Sequence, residues 1–234
     1  MTKRFKILGA LIGVVGIAFL GLAGFTALQV KAGSDSLQAF SSAQNVQLTY
    51  NEDGVLVDRG EVAGAEAILS LVEDDWGYNI KASELDPADP LVNTASEYMY
   101  QMGLIAHHTL TGSAEVVLTE DVEYNGETFP AGTYTVNADG KYWADFDRLH
   151  PLEGAARAQI WNPTAHGLIG ELGVGSVTAS TLQLGYGVAG LIAGLGVVFI
   201  LIGSGVAWAA SGDKKKAVLK EAPAIETIDE PVKA

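Results

Sequence analysis

The sequence predicts a membrane protein in which two transmembrane helices flank an α+β extracytoplasmic domain with a small antiparallel sheet. Three observations carry that prediction. Two long uncharged stretches occur, 24 residues from Ile7 to Val30 and 41 from Leu172 to Gly212. The region between them is strongly acidic, and lysine and arginine gather on their far sides. A helix of roughly 20 apolar residues crosses a hydrocarbon core of about 30 Å, so either stretch suffices.

The elements follow in chain order. Residues 1–6, with Lys3, Arg4 and Lys6, form a cytoplasmic N-terminus, because basic residues are retained on the cytoplasmic side. Residues 7–30 are the first transmembrane helix. Its apolar run is about twice the 7–15 residues of a signal-peptide core, which favours an uncleaved anchor. Residues 31–45, rich in Ser, Ala, Gln and Gly, read as a linker. The extracytoplasmic domain spans 46–163, residues 164–183 are a juxtamembrane segment, and the second transmembrane helix covers 184–210. Residues 211–234 follow as a disordered cytoplasmic tail that opens with Lys214, Lys215 and Lys216. Both termini are therefore expected in the cytoplasm and residues 32–183 outside the plasma membrane. That outer region holds 23 acidic residues against five basic ones (Arg59, Lys81, Lys141, Arg148 and Arg157). Such a charge repels phosphate backbones and excludes nucleic acid as a partner.

Within the domain, Val46–Tyr50 and Val55–Val57 flank Asn51-Glu52-Asp53-Gly54 as a hairpin. The pattern from Val62 to Asp74 is helical. Two Asp-Pro steps make 83–90 a loop, since a residue before proline avoids the helical region. Leu91 to Leu110 reads as the longest soluble helix, with Pro90 near its first turn and Ala95, Met99, Met102, Ile105 and Ala106 as its core stripe. Strands are expected at Val116–Leu118, Val122–Tyr124, Thr133–Val136 and Tyr142–Trp143, with a type I′ turn at Asn125-Gly126. Glu153–Trp161 is a helix that Pro163 ends.

Glycine is the notable feature of the spans. Gly9/Gly13 and Gly190/Gly194 have the GxxxG spacing that lets helix backbones approach closely. If the spans run antiparallel at equal depth, facing residue numbers sum to about 214. Gly24 is then level with Gly190, Gly21 with Ala193, and Gly9 with Gly205. The expected helix-packing residues are Gly9, Gly13, Gly21, Gly24, Gly190, Gly194 and Gly205, and a homo-oligomer through the same glycines is equally allowed. No ionisable residue interrupts either apolar core, which argues against an ion path or transport by this chain alone.

No catalytic, cofactor-binding or metal-ligating set is read from the sequence. His107 and His108 are adjacent, so their side chains point about 100° apart on a helix. Neither has His, Asp or Glu three or four residues away, and H-E-x-x-H is absent. Asp121-Val-Glu123-Tyr-Asn125-Gly126 starts like a calcium loop, but Gly132 occupies the position of the bidentate Glu. The acidic runs read as solvated surface. Trp76, Tyr78, Tyr98, Tyr100, Tyr142, Trp143 and Trp161 read as core or half-buried residues that could alternatively line a pocket or anchor an interface.

The layout of two spans around an acidic outer region, with Glu84-Leu85-Asp86, Asp89-Pro90 and Ala95-Ser96 before a helical run, resembles a group of actinobacterial membrane proteins of unknown function. Many of those carry an automatic name as aromatic ring-opening dioxygenases. The resemblance covers under half the chain and implies the anchored layout. Ring opening would take iron on two His and a carboxylate with open positions, and the histidine spacing gives that no positive support. The function expected is a non-enzymatic, membrane-anchored protein whose acidic domain serves as an accessory or interaction subunit. It would work with a partner in the bilayer or envelope. The competing class is an anchored extracytoplasmic enzyme or a metal- or small-ligand-binding protein.

Overall fold

The computed structural model describes residues 2–220, with side chains from 3 to 211. Of the disordered tail expected over 211–234, residues 211–220 instead continue the last helix, and residues 221–234 lie outside the described residues. Two helices are long and apolar enough to cross a membrane by length and composition. They are α1, Thr2–Gln44, and α5, Pro163–Lys220, of 43 and 58 residues. Between them in sequence lie α2 (Val62–Ser70), α3 (Ala95–Leu110), strands β1 (Ser113–Leu118), β2 (Val122–Tyr124), β3 (Glu127–Phe129) and β4 (Gly132–Asn137), and α4 (Glu153–Ile160). The chain divides into two compact units, residues 1–31 with 184–234, and residues 32–183.

The second unit corrects the expected boundaries. All but the last residue of the supposed linker 31–45 is the end of α1, and the juxtamembrane segment 164–183 belongs to the first part of α5. Composition misleads here because these stretches carry few apolar residues, and only some of those face the core while Phe40, Leu168, Val174 and Val177 stay exposed. Leu37 packs against one core cluster. On α5, Ala165, Leu172, Ser176 and Ala179 are buried at helical spacing. α1 ends at Asn45, whose φ of 51° is the left-handed conformation that asparagine tolerates best among non-glycine residues. Pro163 both follows α4 and opens α5. A proline costs nothing at a first helical position, and Asn162 Oδ1 caps the new helix by accepting from Ala165 N at 2.9 Å.

Helix α3 is the centre of the unit. It starts at Ala95 rather than Leu91, because Thr94 and Glu97 form a capping box. The expected stripe is also too narrow. Tyr98, Tyr100, Gly103, Ala106 and Leu110 are buried, while Met99, Met102 and Ile105 are half-buried. α2 crosses α3 at Gly103, where Ile68 and Val72 are 0 % exposed. α2 continues as a π turn over Leu71–Asp75, which turns Leu71 toward a second cluster while Val72 stays in the first.

That second cluster lies under β1 and β4; the one small sheet expected is instead two separate two-stranded antiparallel sheets. β1 pairs with β4 from Ser113↔Asn137 to Leu118↔Gly132, and β2 pairs with β3 around Asn125-Gly126. Both turn residues have positive φ, 52° and 83°, as a type I′ turn requires. Ala114 and Val116 alternate inward against Ala156 and Ile160 of α4. The strand expected at Tyr142–Trp143 does not form. Tyr142 N donates to Asp145 Oδ2 and its carbonyl accepts from Asp145 N, a local turn that leaves no free ladder groups. The hairpin at 46–57 is reduced to single bridges around an Asn51 side-chain turn.

Glu84 ties three elements together. Its carboxylate accepts from Ser96 N, Lys81 Nζ and Gln183 Nε2 at 3.0, 3.1 and 3.0 Å. Burial opposes its ionisation, but the bonds from Gln183, Ser96 and Lys81 outweigh burial and hold its pKa at about 2. A carboxyl depressed in the fold adds stability that is complete above its unfolded value near 4.5. That stability is lost as pH falls through about 2. Glu84→Gln is therefore expected to cost about 2–3 kcal/mol at pH 7 and almost nothing at pH 2. Denaturant unfolding at the two pH values checks this; an equal loss at both would refute the ionic account.

Candidate functional site

The seam between the apolar helices was the one site expected from sequence. In the unit that holds them, the close approach falls on Gly9 and Gly16 of α1 and Gly196 and Gly203 of α5. A Cβ added at Gly9 would stand 2.5 Å from the Gly203 carbonyl oxygen, and one at Gly16 would stand 2.6 Å from that of Gly196. Facing residue numbers sum to 212 in both pairs. Buried Ala23 and Ala189 continue the series seven residues further on. Phe19 and Phe199 pack beside it with ring centroids 5.5 Å apart.

The glycines singled out by GxxxG divide. Gly9 is in the seam. Gly13 contributes only its backbone, whose nitrogen would lie 2.7 Å from a Cβ on Gly203. A Cβ at Gly21, Gly24, Gly190, Gly194 or Gly205 would meet nothing within 4 Å, so the pairings Gly24 with Gly190 and Gly9 with Gly205 are not made. The depth register is close to that expected; the faces differ. A seven-residue series repeats a small side chain every two turns along the whole contact, whereas one GxxxG pair serves a single crossing.

In the other unit, an apolar cavity of about 430 Å³ opens between residues 37–46, the 168–178 part of α5 and Tyr98 of α3. That volume lies in the range of small-molecule sites, roughly 300–1,000 Å³. α1 and α5 meet where Gly33 faces Leu182, and farther from that contact the cavity lies between them. Gly175 brings α5 onto the Tyr98 ring, where an added Cβ would stand 2.6 Å away. Of its polar lining groups, Ser41 Oγ and Tyr98 OH are paired at 2.6 Å, and Gln44, Glu171 and Thr178 complete the polar part of the wall. Phe40, Leu168 and Val174 line the cavity and remain exposed. The arrangement can seat an apolar group. Sequence reasoning missed it because its walls come from three distant segments, two of them read as connecting chain.

His108 Nε2 lies 3.0 Å from Asp58 Oδ1, and burial together with the His108 charge holds the neighbouring His107 below its ordinary pKa. His150 Nδ1 accepts from Leu152 N and Glu153 N, capping α4. His166 sits between Trp143 and Trp161 at 5.1 and 5.6 Å. Among the described residues no group of three or more His, Asp and Glu side chains is placed to hold a metal ion. Asp121 Oδ1 accepts from Ala131 N at 2.8 Å and so belongs to the hairpin rather than to a cation loop. Tyr50 and Tyr100 bury hydroxyls that have no partner among the described residues. Burial first, then the nearby charges of Glu97 and Asp86, pushes Tyr50 up to about 12. Compared with known proteins, the chain matches no family model, no curated protein and no solved structure.

Proposed function

We propose that this chain is a membrane-anchored interaction protein, an accessory subunit whose extracytoplasmic domain seats an apolar element of a membrane or envelope partner in the α1–α5 cavity. The single observation that carries this reading is the cavity, apolar and rimmed by exposed Phe40, Leu168 and Val174. Soluble surfaces rarely leave large apolar side chains together without a use. The reading places both termini in the cytoplasm and residues 32–183 outside, on the distribution of Lys and Arg. The chain has no cysteine, so labelling of Glu123→Cys in intact cells by an impermeant maleimide tests the orientation cleanly.

Gentle detergent extraction and identification of co-purifying proteins test the function. A stoichiometric partner is expected, with recovery reduced about tenfold or more by Phe40→Asp, as for loss of an apolar anchor. A partner retained by Phe40→Asp and Leu168→Asp alike, or no partner at all, overturns the reading. The cavity volume favours one second reading, binding of an apolar small molecule. A stoichiometric lipid found by mass spectrometry of the purified protein would select it.

A further inference from the structure

Arg157 stands apart from the other basic side chains of its domain because it is buried, whereas Arg59, Lys81 and Arg148 are exposed. Carboxylates outnumber basic residues there 23 to five, so a guanidinium should find a counter-ion easily. Lys81 pairs with Glu84, and Lys141 with Glu153. Arg157 is only 9 % exposed, and no carboxylate among the described residues lies within ion-pair distance of it. Its Nε is buried without an acceptor among the described residues. The guanidinium carbon lies 3.4 Å from the centroid of the Trp143 ring, stacked on its face. That contact fixes the group but uses none of its five donors.

The acids nearest in sequence are committed elsewhere. Asp145 accepts from Tyr142 N, Asp147 from Tyr124 Oη and Leu149 N, and Glu153 from Lys141 Nζ and Asp147 N. A second arginine is brought close instead. The Arg148 carbonyl abuts Gly154, one turn before Arg157 on α4, where a Cβ would stand 2.6 Å from that oxygen. The charge of Arg148 reaches Arg157. A guanidinium that is largely buried and unpaired, within reach of a second positive charge, is unfavourable unless an anion joins it. A planar guanidinium held in place suits bidentate contact with a carboxylate or a phosphate.

We propose that Arg157, held on Trp143 beside Arg148, is a binding site for an oxyanion, a carboxylate or phosphate group carried by a ligand of the domain. The site stands apart from the apolar cavity, with which it shares no lining residue, so it does not depend on the proposed function.

The test uses the full chain in detergent micelles with ¹⁵N-labelled arginine. The chain has four arginines, Arg4, Arg59, Arg148 and Arg157, so their Nε–H signals are few, and the one lost in Arg157→Lys identifies its source. Sodium phosphate and sodium acetate are titrated separately at constant ionic strength set with chloride. A saturable shift of the Arg157 signal is expected, with Arg59 unmoved as the internal control. Saturation by phosphate alone assigns a phosphate-bearing ligand, by acetate alone a carboxylate, and by both a general oxyanion site. Arg157→Lys keeps the charge and the fold but loses the fork, and should weaken binding, read from the Arg148 signal, about tenfold. Linear shifts of equal size at Arg59 and Arg157, or binding unchanged in Arg157→Lys and Arg157→Gln, overturn the proposal.

Discussion

Gly203→Leu is expected to part the two apolar helices, and Gly190→Leu is expected to leave them together. At Gly203 a Cβ would stand 2.5 Å from the Gly9 carbonyl oxygen and 2.7 Å from the Gly13 nitrogen. Both are backbone atoms of a helix, which cannot rotate away as a side chain can. Relief requires the helices to separate along the seam. Overpacking of a well-packed contact costs about 1–3 kcal/mol, and the upper end applies where backbone meets backbone. Interactions between membrane helices are themselves worth only about 0.6–2 kcal/mol each, so the loss is comparable with what holds the pair. At Gly190 and Gly194 an added side chain points into open space.

Phe19→Cys with Phe199→Cys, introduced into a chain with no other cysteine, reports the contact through a short bis-maleimide. Crosslinking should be efficient in the parent and in Gly190→Leu and Gly194→Leu, and should fall several-fold in Gly203→Leu and Gly196→Leu. The reverse order would mean that the GxxxG faces form the seam.

How much of this was legible in the sequence depends on the range of the interaction that decides each element. The two apolar helices follow from composition over some 20 residues, and the Asn125-Gly126 turn from the φ > 0 tolerance of just those two residues. The helix beginning at Val62 and the one ending near Trp161 follow from local pattern in the same way. The start of α3 was written in Thr94-Ala-Ser-Glu97, a capping box, but Pro90 offered a competing signal four residues earlier. Pro163 carried two meanings, end of one helix and first residue of the next, and only Asn162 ahead of it discriminated.

What could not be read is decided at long range. Ser41 and Leu37 make the supposed linker helical by packing on α3 and the rest of the core, 57 residues away along the chain in the case of the Ser41–Tyr98 bond. The cavity needs residues 40, 98 and 174 to converge. The missing counter-ion of Arg157 has no local trace either, since an acid-rich sequence predicts that every arginine is paired. Even the helix seam turned on which of several glycine spacings faces a partner, a question that one helix considered alone does not answer.

The same distinction between a glycine that faces a neighbour and one that does not gives the largest effect expected in the unit of residues 32–183, at Gly103→Val. Gly103 is where α2 crosses α3. A Cβ there would overlap the Val72 Cγ2 methyl and stand 3.3 Å from Ile68 Cγ2. Val72 and Ile68 are both 0 % exposed, so neither has room to retreat. Two terms oppose each other in Gly103→Ala: the helix gains about 1 kcal/mol from propensity, and overpacking costs about 1–3 kcal/mol. The balance is a modest loss. Gly103→Val adds two methyls to the same closed space and gains less in propensity, so a loss of about 3 kcal/mol or more is expected. That rivals the roughly 2–5 kcal/mol for deleting a buried isoleucine, as in Ile68→Ala.

Gly170→Ala on α5 is the matched control. Nothing lies within 4 Å of its added Cβ, so only the propensity term acts, and a gain of about 0.5–1 kcal/mol is expected. Unfolding of the full chain in detergent, followed by tryptophan fluorescence, should lower Tm for Gly103→Val by about 6–12 °C at roughly 2–4 °C per kcal/mol for a domain of this size. It should raise Tm slightly for Gly170→Ala. Combining Gly103→Ala with Val72→Ala tests the cause directly. If the clash with Val72 sets the cost, the double variant loses less than the sum of the two single losses. Strict additivity would place the clash elsewhere and would remove Val72 as the residue that requires glycine at the helix crossing.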